Sequence, residues 1–275
     1  MNDVYQRIFL VPLGPDFADY FILNLARSIA GDIMKRICFC IGDTNCGKST
    51  ITKACENSFG GYIGNFDAHN LIKKEIKSDG ASQLRWCLLI RNARIGFSNE
   101  LSADEIINGG NLKKFSSGGD KLTARLHCSN EISFIPHFVL FVMLNDMNTI
   151  EPYDDAVDER LCIFNFKRRF TDIPKTMYDL KKDPNLKHEV ETIRFKHAFM
   201  RIIVDRYTKF HLQENRTENV PKEIMDGKDI WVGDRDETNI ICNFISYFTL
   251  TNIEKAKVYN NELENTKVCL YENLM

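Results

Sequence analysis

The chain has 275 residues, is 44% hydrophobic and 27% charged, and carries a formal net charge of −2 with a pI near 6.3. That length can bury one large core, or one core and a smaller one. The balance excludes a surface coated in positive charge, so any nucleic-acid contact must be local.

The nine cysteines include no CxxC pair, and no His/Cys grouping has zinc spacing, which fits reduced thiols in an intracellular protein. Met1 to Leu13 lacks the long apolar core of a secretion signal. The most apolar stretch, Phe134 to Leu144, contains Pro136 and His137 and is too short to span a bilayer. The expectation is an intracellular protein that is not secreted and has no membrane partner.

In chain order, Asp16 to Ala30 predicts a packing helix. Phe17, Tyr20, Phe21, Leu25 and Ile29 recur at helical spacing, and Gly31 can end it. Ile37 to Ile41 predicts a buried strand. The pattern Gly42-Asp43-Thr44-Asn45-Cys46-Gly47-Lys48-Ser49 follows, and Ser49, Thr50 and Ile51 open a helix. A strand, a glycine-rich loop and a helix in that order are the context that makes this pattern a P-loop. The loop backbone can cradle phosphate oxygens and the helix N-terminus adds a positive field. Lys48 can reach the β- and γ-phosphates, and the Ser49 hydroxyl can ligate Mg²⁺. A nucleotide with Mg²⁺ is therefore the expected ligand, held by residues 42–50; kinases, GTPases and motors share this loop, so it does not name the enzyme.

Phe59 to Gly64 reads as a turn-rich return, Asp67 to Lys77 as a helix, and Ser82 to Leu89 as another. Arg94 to Glu100 predicts a short strand ending in one acid. Beside a P-loop, Glu100 can hold the metal or activate the attacking water. The plain alternative is a solvated glutamate. Lys114, Lys121 and Arg125 bracket Gly118-Gly119-Asp120, which concentrates positive charge on a loop. An ordinary hairpin with solvated charges is the alternative there. Leu126 to Phe138, carrying His127, alternates loosely and suggests a β-hairpin. Val139 to Leu144 is a continuous apolar run, as in a central parallel strand. It ends in Asn145, which can hold a water near a γ-phosphate, or can be a turn asparagine. Asp154 to Arg160 predicts a charged helix with a solvated face, and Leu161 to Phe166 a strand. Beyond Phe170 the pattern turns helical, with apolar stripes over Ile193–Phe210 and Ile240–Phe248 and a polar linker over 214–236.

The order of these elements resembles the superfamily-3 helicases, and most closely the primase-helicase type of large DNA viruses and phages. The A motif matches at Gly42 to Thr50 and the B motif at Arg94 to Glu100. The B-prime motif matches at Lys114 to Arg125. Phe134-x-Pro136-x-Phe138 leading into Asn145 resembles the C motif, and Arg160 stands at the arginine-finger position. Asn99 stands where many relatives carry a second acid, and Asn145-Asp146-Met147 lacks a proline common after the C motif. Only 41 residues precede Gly42 here, and no primase domain is expected within them.

The resemblance implies an α/β fold: a three-layer P-loop AAA+ domain with a parallel central sheet, followed by a small helical domain. The boundaries expected are a helical N-terminal segment 1–35, an ATPase core 36–170 and a helical C-terminal region 171–275. It further implies an ATP hydrolase acting as a DNA helicase in viral or mobile-element replication. Lys48, Glu100, Asn145 and Arg160 would be catalytic, with Arg160 acting on a neighbouring subunit. Lys114, Lys121, Arg125 and His127 would touch single-stranded DNA, with RNA as the alternative. The expected partners are further copies of the chain in a ring, a hexamer by resemblance, and separate replication proteins such as a primase. Two other readings remain open: a ring subunit that binds ATP with little hydrolysis, suggested by Asn99, and a P-loop small-molecule kinase.

Overall fold

The computed structural model describes residues 1–73, 80–102, 104–222 and 224, all within the compact unit Met1–Met225. Its centre is a five-stranded sheet in the order β2-β3-β7-β1-β9, with every neighbouring pair parallel. The strands are β1 (Ile37–Ile41), β2 (Ile63–Phe66), β3 (Ile95–Ser98), β7 (Val139–Leu144) and β9 (Leu161–Asn165). β1 and β7 are buried along their whole length, as expected of parallel strands covered on both faces. The α/β class expected from the sequence is what forms.

One face is covered by α1 (Pro15–Ala30) and α2 (Lys48–Phe59), and α5 (Ile193–His211) packs against both helices. α1 follows a positive-φ Gly14, starts with Pro15 in its first turn and stops at Gly31, which is left-handed at φ 86°. Its apolar stripe carries the core. The Phe21 ring is fully buried and meets Phe164 edge-on at 4.8 Å and Phe141 at 5.8 Å. Phe9 joins this cluster through Phe21 and stacks on Phe199 of α5 at 5.4 Å. α5 therefore packs on the sheet domain, through the stripe its sequence predicts. Thr192 caps it by accepting from the Phe195 N–H.

On the other face lie α3 (Arg85–Leu89) and α4 (Gly109–Phe115). Trp86 stacks on Phe66 at 5.1 Å and meets Phe115 edge-on at 5.0 Å. A Cβ on Gly64 of β2 would lie 2.6 Å from Ile90, so this strand needs a glycine to let the α3 end approach.

Several elements differ from the sequence reading. The Asp67–Lys77 helix does not form over its described part. Asp67 caps a single turn at Ala68–Asn70, accepting from the His69 N–H, and Ile72 then bridges to Ile107. Residues 74–79 lie outside the described residues. The expected helix over Ser82–Leu89 is split into Gly80–Gln83 and α3. The hairpin starts earlier than predicted: β5 (Leu122–Arg125) pairs antiparallel with β6 (Glu131–Phe134). The Asp154–Arg160 helix shortens to one turn, Asp155–Asp158, because Asp154 is its N-cap. A small parallel pair, β4 (Ile106–Asn108) and β8 (Thr149–Glu151), went unpredicted. So did β10 (Arg169–Thr171) and β11 (Asp179–Lys181), which precede the helices expected after Phe170. The Ile240–Phe248 stripe and most of the 214–236 linker lie outside the described residues. No single helix among the described residues is long and apolar enough to cross a membrane.

Phe21 ties α1 to β7 and β9, so Phe21→Ala removes a ring from the centre of the aromatic cluster. Its expected cost is about 3–5 kcal/mol of unfolding free energy, read by urea denaturation. A loss below about 1 kcal/mol would mean that the cluster does not hold α1 on the sheet.

Candidate functional site

The carboxyl ends of β1, β3 and β7 converge on one edge of the sheet, where ligands bind in open α/β folds. The Gly42–Ser49 loop leaves β1 there. A Cβ on Gly42 would lie 2.8 Å from the Phe166 carbonyl oxygen, so only glycine lets the loop pass β9 this closely. Asn45 takes a left-handed φ of 65°, a conformation its short polar side chain tolerates. Its carbonyl accepts from the Phe170 N–H at 2.9 Å, which anchors the loop to β10. Burial pushes the Cys46 thiol up, so this residue packs as a neutral side chain.

Lys48 opens α2 and is 5% exposed. Its ammonium donates to the Gly42 carbonyl, to the Leu144 carbonyl at 2.6 Å and to Asn145 Oδ1 at 3.0 Å. The Asn145 amide in turn donates to Glu100 Oε2 at 2.9 Å. Three residues selected from separate stretches of sequence thus form one chain of hydrogen bonds. All three oxygens on Lys48 are neutral, so this buried cation is solvated but not neutralised. An anion that reaches it gains a strong, charge-assisted interaction.

A cleft of about 500 Å³ opens over this chain. It is lined by residues 43–50 and Glu100, and on the facing side by Arg7, Ile8, Val11, Pro12, Phe170 and residues 180–183, 186 and 187. A positively charged floor with an apolar wall fits a ligand having an anionic end and a flat apolar end. Ser49 is exposed in the first turn of α2 and Glu100 is exposed across from it, and both line the cleft. Their hydroxyl and carboxylate oxygens are the donor type that suits Mg²⁺.

Asn99 does not face this cleft chemistry. Its Oδ1 accepts from the Ala68 N–H at 2.7 Å and its Nδ2 donates to Asp67 at 3.2 Å. The residue fastens β3 to the turn after β2. It is a structural tie rather than a weakened acid beside Glu100.

Arg160 sits at the opposite edge of the sheet. Its carbonyl accepts from the Ile37 N–H at 2.8 Å, at the start of β1. Five residues of strand separate that point from Gly42, roughly 16 Å at the usual rise. Its guanidinium donates to the Ala156 carbonyl. The acid Asp154 pairs with Lys113 at 2.6 Å instead.

The three cations and one histidine expected to touch nucleic acid fall on α4 and the hairpin. Lys114 is exposed in the last turn of α4, and Lys121 is exposed just before β5. Thr123 and Arg125 alternate with the buried Leu122 and Ala124, which gives β5 one outward face. Arg125 stands across from Glu131, which discounts its charge, and His127 lies in the exposed connecting turn. Gly118 packs against the Lys35 side chain, so the Gly-Gly-Asp turn rests on the protein.

Sequence reasoning missed the facing wall of the cleft. Arg7, Phe170 and Lys181 to Lys187 belong to no motif, and only tertiary structure brings them to the loop.

No family model matches the chain. It is 36% identical over 249 residues to V13 of Sputnik virophage, a protein assigned as a helicase by name. That match covers 88% of this chain and 31% of V13. Primase D5 of Fowlpox virus is 24% identical over 215 residues, covering 74% of this chain and 26% of D5. L207/L206 of Acanthamoeba polyphaga mimivirus, also named as a helicase, is 27% identical over 194 residues, covering 66% of this chain and 19% of that protein. Among solved structures, the apo A form of the NrS-1 C-terminal region superposes with a TM-score of 0.58 at 14% identity. It covers 95% of this chain and 61% of that one, and at this identity the likeness concerns the fold alone. The relatives named here are helicase- and primase-named proteins of a virophage and large DNA viruses, and the chain spans less than a third of the length of each.

Proposed function

We propose that this chain is the ATP-hydrolysing part of a superfamily-3, AAA+ type nucleic-acid helicase, working in viral replication inside the host cell. The observation that carries the reading is the Lys48–Asn145–Glu100 chain at the carboxyl edge of a parallel sheet, under a cleft with an uncompensated cation in its floor. A role in replication is supported by the viral relatives.

In this reading the loop amides of residues 42–50 and Lys48 bind the triphosphate of ATP. Ser49 and Glu100 supply oxygens toward Mg²⁺, which when bound neutralises phosphate charge. Glu100 orients or deprotonates the attacking water, and its bond to Asn145 fixes its direction. Lys48 must exchange its bonds to the Gly42 and Leu144 carbonyls for phosphate oxygens, and Asn145 stays beside it. Arg160, on the far edge of the sheet, cannot reach its own Gly42 loop. It would serve a neighbouring subunit in a ring, in the manner of an arginine finger. A hexamer, the domain limits 36–170 and 171–275, and a primase supplied by a separate chain or region complete the proposal. Single-stranded DNA would contact Lys114, Lys121, Arg125 and His127 mainly through phosphates.

The reading as a ring subunit with little hydrolysis rests on Asn99, and the side chain of Asn99 is engaged with Ala68 and Asp67. A small-molecule kinase would leave the hairpin cations without a task.

Glu100→Gln is expected to bind ATP as wild type does and to lose phosphate release, both without and with single-stranded DNA. In wild type that DNA raises the rate. Asn99→Asp, by contrast, puts a second carboxylate beside the exposed Asp67, so it lowers stability by no more than about 1 kcal/mol without raising turnover. Unchanged turnover in Glu100→Gln, or faster turnover in Asn99→Asp, would reverse the roles given to these two residues.

Mixing tests the finger. Lys48→Ala and Arg160→Ala proteins should each be inactive alone, and a mixture should recover activity at interfaces that keep Lys48 on one side and Arg160 on the other. Normal hydrolysis by Arg160→Ala alone would place the finger elsewhere, with Arg168 or Arg169 next in line.

A further inference from the structure

The wall that faces the Gly42–Ser49 loop is built from two segments far apart in sequence. One is the N-terminal run of helical turns carrying Arg7, Ile8, Val11 and Pro12. The other is the stretch from Leu180 to Lys187. Arg7 joins them. Its Nη1 donates to Asp183 at 2.9 Å, and its Nη2 donates to Glu189 at 2.5 Å and to Asp3 at 2.6 Å. The Arg7 side chain is 27% exposed, against 37% for Asp183 and 42% for Glu189, so these two bonds are half-buried, while Asp3 at 71% is a surface partner.

The second segment is in turn tied to the loop. β11 pairs with β10, the Lys182 N–H donates to the Thr171 carbonyl at 2.9 Å, and the Phe170 N–H holds Asn45 at the loop apex. A continuous strap therefore runs from the loop, through β10 and β11, to Asp183 and Arg7.

We propose that Arg7 is a positioning residue that laces this strap to the N-terminal turns and so holds the roof of the nucleotide cleft in its binding arrangement. The inference rests on the nucleotide reading given above and deepens it. An arginine lining such a cleft suggests a direct phosphate ligand, but its charge is already met by three carboxylates. Neither Asp183 nor Glu189 has a role at the phosphates in this arrangement. Their role is to keep the guanidinium turned toward the strap, which pre-orders the apolar wall of Ile8, Val11, Pro12 and Leu180 before nucleotide arrives.

Equilibrium titration of the full chain with a fluorescent ATP analogue, together with the melting temperature of each ligand-free protein, tests this. Arg7→Leu and Glu189→Gln should both weaken binding, by about tenfold for Arg7→Leu and less for Glu189→Gln, and Arg7→Lys should recover part of the loss. The sign for Glu189→Gln is decisive. A direct phosphate ligand would be released by neutralising its carboxylate, and binding would tighten, which overturns the proposal. Wild-type affinity in folded Arg7→Leu and Glu189→Gln also overturns it, even where the melting temperature falls. If Arg7→Leu fails to fold, Glu189→Gln and Arg7→Lys carry the same comparison. Absence of binding by wild type itself would instead overturn the nucleotide reading, and the roof with it.

Discussion

The site depends on a buried ammonium that has oxygens around it but no carboxylate. Lys48 sits in the first turn of α2 and donates to two backbone carbonyls and an amide. A buried charge is costly unless it is paired, and here the pairing anion is left to be supplied from outside. Glu100 is near, yet Asn145 stands between it and the lysine. A direct Lys48–Glu100 pair would satisfy both groups internally and weaken the attraction for any incoming anion. The intervening asparagine accepts from the ammonium and donates to the carboxylate, so the two groups do not pair directly.

The parallel sheet turns this local arrangement into a directional one. With all five strands running the same way, the loop after β1, Glu100 after β3 and Asn145 after β7 arrive at one edge. The same rule sends Arg36 and Arg160 to the other edge. One molecule thus carries the Lys48 cleft and Arg160 on opposed edges, and a single copy cannot bring them together. In the proposed ring, that opposition is what allows each subunit to complete its neighbour.

What was legible in the sequence followed from local rules. α1 shows its apolar stripe with Pro15 and Gly31 at its ends. β1 and β7 are unbroken apolar runs because both their faces are covered. The meeting of Lys48, Glu100 and Asn145 at one edge of the sheet was legible because each follows a recognisable strand. β2 was missed because Gly64 breaks its strand pattern, for the sake of contact with Ile90. The helix expected from Asp67 does not form over residues 67–73 because its capping aspartate closes a single turn and Asn99, just after β3, takes the Ala68 N–H. Asn99 read as a missing acid because a motif gives order along the chain and not the direction of a side chain. The roof was invisible for a simpler reason. Arg7 meets Asp183 and Glu189 across more than 170 residues, and no local pattern encodes such a contact.

The central claim, that the uncompensated Lys48 cation draws a nucleotide triphosphate into the cleft, is tested most directly by equilibrium binding. ATP, ADP and AMP are titrated against wild type and Lys48→Ala, with circular dichroism to verify that both are folded. Binding by wild type should strengthen with each added phosphate, and Lys48→Ala should weaken ATP by about tenfold to a hundredfold while leaving AMP nearly unchanged. Equal affinity of folded Lys48→Ala for ATP, or a wild type that does not distinguish ATP from AMP, would contradict it.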